Sequence, residues 1–260
     1  MQPRRRTVLL GGLALAGGCV AAQGRISRLG EAIDKSGAER MLSQRMGKAW
    51  LGLMRPDLAA RARQVLQDSE ARFERQLGEL LAFAPTAEIA GSYKAMQHRF
   101  GDYLTLLQRT PSADHVDELL RTSGELLSLA QLATTQLQAR SSAATARLVN
   151  LSGRQRMLSQ RLALFFLAEQ QGARPDLVQR ESAKARADFE SAMRLLEAAP
   201  EASPAIHANL ELARNQWVFL QAALAGHSEG SHAANEVFIA SENLLAVMET
   251  VTGQFAHELA

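Results

Sequence analysis

The chain has 260 residues, a formal charge of +2 and a sequence pI near 9.0. The basic excess is local: Arg4, Arg5 and Arg6 lie in the first six residues, residues 1–22 contain no acid, and the rest holds 26 basic against 27 acidic residues. This balance argues against a nucleic-acid partner. Hydrophobic residues at 47% and charged residues at 22% are typical of a folded globular protein. The single Cys excludes an internal disulfide and a Cys-based zinc site.

Residues 1–22 have the pattern of an export signal. A basic segment at Arg4–Arg6 precedes an apolar run at Val8–Gly18, and Val20–Ala22 offers a small-residue cleavage site. The paired arginines resemble a twin-arginine signal, and Cys19 offers a site for lipidation. We therefore expect a periplasmic protein, either cleaved near Ala22 or anchored as a lipoprotein through Cys19. No later run reaches 18 apolar residues, so we predict no transmembrane helix in the mature chain.

The remainder of the chain contains an internal repeat. Residues 36–45 (SGAERMLSQR) recur as residues 152–161 (SGRQRMLSQR), with eight of ten positions identical at an offset of 116. The register continues beyond this motif, with residues 55–58 returning at 174–177 and Phe100 aligning with Phe219. We interpret this as a duplication, with one unit at residues 23–140 and a second at residues 141–260.

Each unit is predicted to be all-α. Strong helix formers dominate, and no run of alternating polarity is long enough for a strand. Pro56 and Pro175 are expected in the first turn of the second helix of each unit. With the other Pro and Gly positions, they predict two tandem up-down four-helix bundles. The predicted helices lie at 25–54, 57–83, 87–108 and 113–140, then at 143–171, 176–198, 204–225 and 231–258.

The junction between the units has two interpretations. Residues 113–171 contain no Pro, so the fourth helix of the first unit can run directly into the first helix of the second. That arrangement stacks two bundles end to end on a long shared helix. Alternatively Ser141 and Ser142 break the helix, and the second bundle folds back beside the first. The sequence leaves both alternatives open.

The repeated motif places an unusual set of residues on one helical stripe. Gly37, Arg40, Gln44 and Gly47 follow i, i+3, i+7 and i+10 spacing. A helical Gly costs about 1 kcal/mol relative to Ala, and we expect close approach of a second backbone as the reason for it. Arg40 leans toward the helix N-terminus over Gly37, and its guanidinium matches two oxygens of a planar oxyanion. The second copy would bring Arg156 to the same small anion.

A structural interpretation competes with this one. Both motif arginines can instead pair with acids from other helices, and both motif glycines can simply permit tight packing. Arg45 and Arg161 can either support the site from behind or lie at the surface, and we expect the surface. Met41, Leu42, Met157 and Leu158 are expected in the core.

Residues 150–161 (NLSGRQRMLSQR) resemble the signature of the type IV pilus methyl-accepting chemotaxis transducer N-terminal domain, the PilJ-type sensor module. They are also similar to the periplasmic sensor region of nitrate/nitrite-responsive histidine kinases. Residues 34–46 match as well, with Ala38 and Glu39 in place of the usual Arg-Gln. The resemblance implies a four-helix bundle that binds nitrate or nitrite between the first helices of two subunits.

In the resembling domains the anion meets the motif's glycine and the arginine three residues later. Carried over, the ligand-binding residues are Gly37, Arg40, Gly153 and Arg156. The secondary residues are Ser36, Gln44, Ser152 and Gln160. Because two units share one chain, we expect either an intramolecular pseudo-dimer or a homodimer.

Membrane sensors of this type carry flanking transmembrane helices and a cytoplasmic signalling domain, and neither is found in this sequence before it ends at Ala260. We therefore expect the module to act through a membrane receptor or another signalling protein. The alternative is a helical adaptor that binds no small ligand and docks on a membrane receptor or on a pilus or chemotaxis component.

Catalytic patterns find little support in the sequence. It contains no His-Glu-x-x-His motif, no His pair at i, i+4 spacing and no Gly-rich phosphate loop, and its Gly-x-Ser-x-Gly sequence at residues 226–230 follows no predicted strand, as a nucleophile elbow would. We therefore expect no enzymatic activity, no metal and no cofactor.

Overall fold

The computed structural model describes residues 25–226 and 232–259. The predicted export signal, its cleavage site near Ala22 and the lipidation site at Cys19 lie outside the described residues. Within them the chain is all-α, as predicted, with eight α-helices and no strand. The helices are α1 (Leu29–Gly52), α2 (Ala59–Phe83), α3 (Ala87–Leu107), α4 (Val116–Gln138), α5 (Ala144–Glu169), α6 (Pro175–Glu197), α7 (Pro204–Leu224) and α8 (His232–Glu258).

Local sequence signals account for several helix starts. Thr86 and Ser203 cap α3 and α7, because each hydroxyl accepts a hydrogen bond from the backbone N–H three residues later. Pro175 opens α6 as predicted. The same prediction for Pro56 is wrong, since this residue lies in the turn before α2 begins at Ala59. No helix in the described ranges is long and apolar enough to cross a membrane.

The two units lie side by side. Within the first unit α1 packs on α2 and α4, and within the second α5 packs on α6 and α8. Between the units α1 packs against α5 more extensively than against any other helix. Contacts advance in the same direction along both helices, because Gly37 lies near Arg156 and Gly47 lies near Leu164. Thus α1 and α5 are parallel neighbours, and the chain forms an intramolecular pseudo-dimer.

The continuous junction helix, one of the two alternatives left by the sequence, is wrong. Helix α4 ends at Gln138 and α5 begins at Ala144. At the turn, Ser141 N donates to the Gln138 carbonyl at 3.0 Å, and Ser141 Oγ accepts from Ala143 N at 3.1 Å. The physical reason is direction: α4 runs antiparallel to α1 in an up-down bundle, so a straight continuation could not run parallel to α1.

The aromatic core of each unit corrects the register of the repeat. Phe73 stacks on Phe100 with ring centroids 4.2 Å apart, and Phe189 stacks on Trp217 at 4.0 Å. The counterpart of Phe100 is therefore Trp217, and the predicted alignment with Phe219 is wrong. Phe219 is 63% exposed. Leu212 and Val218 of α7 are also more than half exposed.

Glu39 is an ionisable group in the core of the first unit. It is fully buried, and neither carboxylate oxygen has a hydrogen-bond partner within the described residues. Burial raises the pKa of Glu39 well above its usual range, so the neutral acid is favoured in the fold. Its counterpart Gln155 is uncharged, and its Nε2 donates to the Phe189 carbonyl at 2.8 Å. The second unit thus shows the neutral side chain that suits this position.

We expect Glu39→Gln to stabilise the protein at pH 8, on the order of 1–3 kcal/mol. Folded Glu39 holds its proton more tightly than unfolded Glu39, so wild-type stability falls as pH rises above the ordinary value of 4.5 toward the raised pKa. The Gln variant lacks this fall. Urea unfolding at pH 5 and pH 8 measures the difference. The control Gln155→Glu should create the same pH-dependent loss in the second unit. Equal losses for wild type and Glu39→Gln between the two pH values would contradict the assignment.

Candidate functional site

The α1–α5 interface brings the four predicted ligand-binding residues together. A Cβ placed on Gly37 would lie 3.0 Å from Arg40 Nη2 and 3.6 Å from Arg156 Nη2. A Cβ on Gly153 would lie 3.2 Å from Arg156 Nη2 and 3.3 Å from Arg40 Nη2. Both arginines are at most 1% exposed. Two guanidinium groups from the two units therefore face the same two glycines inside the protein.

The expected reason for the motif glycines is wrong. The atoms nearest to the Cβ positions of Gly37 and Gly153 belong to the arginine side chains, not to a neighbouring backbone. Gly30 shows what close backbone approach looks like, since a Cβ there would lie 2.5 Å from the Ala256 carbonyl oxygen. The motif glycines instead leave room for side chains that lean back along their own helices.

Arg40 is a buried cation held by neutral groups. Its Nη1 donates to Gln131 Oε1 and to Asn150 Oδ1, each at 2.7 Å, and its Nη2 donates to the Asn150 carbonyl at 3.1 Å. Among the described residues no carboxylate lies within ion-pair distance of it. Burial, followed by the charges of Arg156 and Arg154, lowers the pKa of Arg40 to about 9. It remains charged at neutral pH, and the described part of the chain provides no carboxylate partner for it.

Arg156 differs from Arg40 because it meets an acid. Its Nη2 donates to the Asp34 carbonyl at 3.1 Å and lies 2.7 Å from Asp34 Oδ1, an ion pair without the alignment of a hydrogen bond. Its Nε is buried and has no hydrogen-bond partner in the described parts of the chain. The structural interpretation was that each motif arginine pairs with an acid from another helix. Among the described residues it is correct for Arg156 and wrong for Arg40.

The predicted secondary residues are buried, and most of them hydrogen-bond to a neighbouring helix. Gln44 Nε2 donates to the Ser123 carbonyl of α4 at 3.2 Å, and Gln160 Nε2 donates to the Ser241 carbonyl of α8 at 2.9 Å. Ser36 Oγ lies 3.0 Å from Thr134 Oγ1 of α4, whereas Ser152 Oγ donates within α5. These bonds fix the two motif helices against α4 and α8, so their contribution is to position the arginines.

The surface expectation for Arg45 and Arg161 is wrong. Their side chains are 16% and 18% exposed, and Arg161 Nη1 donates to Gln44 Oε1 across the interface at 2.8 Å. Arg45 pairs with Glu242 of α8, which also lies 2.6 Å from the fully buried Lys48 Nζ. Although burial opposes it, these two cations lower the pKa of Glu242 to about 2. This ion-pair cluster is a second link between the units.

Sequence reasoning missed the immediate partners of the arginine pair. Asp34 and Asn150 stand three residues before the two glycines and share their 116-residue offset. Their equivalent places in the repeat could therefore have marked them as candidate site residues. Gln131 lies on α4, where no motif marks it. Within the described residues no cluster of His, Cys, Asp and Glu could hold a metal ion.

Comparison with known families supports the resemblance in the second unit. Residues 137–238 match the family model PilJ, described as type IV pili methyl-accepting chemotaxis transducer N-term. The matched segment contains Gly153 and Arg156 and extends from the end of α4 into α8. It is similar to the N-terminal region of a transducer, a description that names no enzymatic activity. No curated protein and no solved structure matches the chain.

We expect Gly37→Ala and Gly153→Ala to leave the stability of the fold close to wild type. Alanine gains about 1 kcal/mol of helix propensity, which offsets the displacement of flexible guanidinium ends by a few tenths of an ångström. The control Gly30→Ala should destabilise by about 1–3 kcal/mol, because its Cβ meets a carbonyl oxygen that cannot move freely. Urea unfolding compares the three variants. A loss at Gly153→Ala as large as that at Gly30→Ala would make it a packing glycine.

Proposed function

We propose that this protein is a periplasmic sensor module that binds a small oxyanion, nitrate or nitrite, between α1 and α5. Arg40 and Arg156 bind the anion, and Gly37 and Gly153 leave space for the two guanidinium groups. The module passes its state to a signalling partner such as a membrane receptor. The periplasmic location follows from the export pattern of residues 1–22.

The observation that carries the proposal is the uncompensated charge of Arg40. A buried cation without a counter-ion is costly, and a second guanidinium beside it adds repulsion. An oxyanion between the two arginines supplies the missing negative charge and accepts charge-assisted hydrogen bonds. The buried, unpartnered Nε of Arg156 is one further donor in the same place.

The family match agrees with a sensory role. The second unit is similar to a chemotaxis transducer N-terminal region, and the sequence resemblance implies nitrate or nitrite at the Gly-Arg pair. Here both copies of that pair lie in one chain, on parallel neighbouring helices, so one molecule presents a complete pair of arginines.

The alternative is a helical adaptor that binds no small ligand and docks on a receptor or pilus component. The observation that favours it is the apolar surface of α7, where Leu212, Val218 and Phe219 are each more than half exposed. This alternative accounts for that surface, but it gives no reason for burying Arg40 where residues 25–226 and 232–259 supply no acid to pair with it. We therefore prefer the sensor.

We expect calorimetric titration of the protein with nitrate or nitrite to show saturable binding that is lost in Arg40→Ala and in Arg156→Ala. Each substitution removes a charged bidentate donor, a change worth a factor of ten or more in affinity, since hydrogen bonds to charged groups contribute about 1.5–3 kcal/mol. The matched control is Arg154→Ala, which removes the same charge from an exposed side chain paired with Asp188.

Unfolding curves of all three variants separate lost binding from lost structure. Absence of binding in the wild type, or unchanged affinity in both Arg40→Ala and Arg156→Ala, would contradict the sensor proposal and leave the adaptor.

A further inference from the structure

The two arginines of the site have non-equivalent partners at equivalent positions. Asp34 and Asn150 are related by the same 116-residue offset as the glycines and the arginines. Each contacts the arginine of the other helix: Asp34 meets Arg156, and Asn150 meets Arg40. The site therefore has a pseudo-symmetric set of contacts in which one member carries a charge and the other does not.

The contacts at the two positions are closely similar in form. The backbone carbonyl of each residue accepts from an arginine Nη2 at 3.1 Å, and a side-chain oxygen of each lies 2.7 Å from a guanidinium nitrogen. Asp34 thus places a carboxylate oxygen where Asn150 places an amide oxygen. The difference between the two positions is one unit of charge with little change in shape.

The difference between Asp34 and Asn150 determines the net charge around the arginine pair. The nearby Arg154 is already paired with Asp188, and Glu39 is buried in a form that favours its proton. Within the described part of the chain the arginine pair is therefore opposed by the single carboxylate of Asp34, which leaves an excess of one positive charge. One singly charged anion neutralises that excess, whereas a doubly charged anion would bring a buried net negative charge next to Asp34.

The Asp34 carboxylate can also move away from Arg156 when an anion binds. Its side chain is 27% exposed, whereas Arg156 is buried. When a ligand oxygen takes over the contact with Arg156, the Asp34 carboxylate can turn to water, and its hydration offsets part of the lost ion pair. Asn150 carries no charge that would compete with an anion at Arg40.

We propose that Asp34 is a built-in counter-anion that restricts the site to singly charged oxyanions and lowers their affinity by competing for Arg156. This inference rests on the proposed function, because it assigns a ligand charge to the same site. It makes Asp34 a specificity-determining residue, although Asp34 is not one of the motif's glycine and arginine positions.

The test compares Asp34→Asn with wild type by calorimetric titration against nitrate, sulfate and chloride. Asp34→Asn makes the two positions identical and leaves both arginines uncompensated. We expect nitrate affinity to rise at least about tenfold, at the lower end of the coupling found for close charge pairs. We also expect sulfate binding to appear. Asn150→Asp should have the opposite effect and abolish nitrate binding.

Two controls separate this effect from general electrostatics and from shape. Glu31→Gln removes one negative charge from the same helix, where Glu31 pairs with Lys35, and should leave nitrate affinity unchanged. Asp34→Glu keeps the charge and should still exclude sulfate. If unfolding measurements show that Asn150→Asp does not fold, sulfate binding by Asp34→Glu would still contradict the inference.

The outcomes distinguish the two proposals. Wild-type nitrate binding with an unchanged Asp34→Asn variant overturns the role of Asp34 and leaves the sensor intact. Binding of nitrate or sulfate by Asp34→Asn alone overturns nitrate sensing by the wild type and supports Asp34 as the internal anion. No anion binding in either protein overturns both.

Discussion

Two like-charged guanidinium groups are buried together at the interface of α1 and α5. Gly37 and Gly153 carry no side chain and so leave space for Arg40 and Arg156 between α1 and α5. Their charges must be met by oxygen atoms, which come from both units and from α4. The parallel pairing of α1 with α5 and the bonds that hold them to α4 and α8 all serve this arrangement.

Duplication within one chain allows the two halves of the interface to differ. At four equivalent positions α1 carries an ionisable residue where α5 carries a neutral one: Asp34 with Asn150, Lys35 with Leu151, Glu39 with Gln155, and Lys48 with Leu164. A homodimer could not separate these pairs, because each substitution would change both subunits. Here Asp34 offsets part of the charge at the site, and Lys48 binds Glu242 of the second unit.

Much of the fold was predictable because its signals are local or repeated. Strong helix formers, the hydroxyl caps at Thr86 and Ser203 and the proline at the start of α6 define helices through interactions within a few residues. The motif repeat predicted that Arg40 and Arg156 would approach the same place from the two units. It did not predict the stacking of Phe189 on Trp217, because the register of the repeat shifts in the third helix of each unit, where only packing reveals the true counterpart.

The all-helical class, the double occurrence of a motif with one glycine and one arginine, and the location of the basic excess in residues 1–22 were legible from the amino-acid order. The packing of the helices was needed to show that the second unit folds back beside the first, that Arg156 meets an acid and that Arg40 meets none among the described residues. The reason is that helix formation depends on neighbours along the chain. The partner of a buried charge depends on residues such as Gln131 and Asn150, which reach Arg40 only when separate helices pack together.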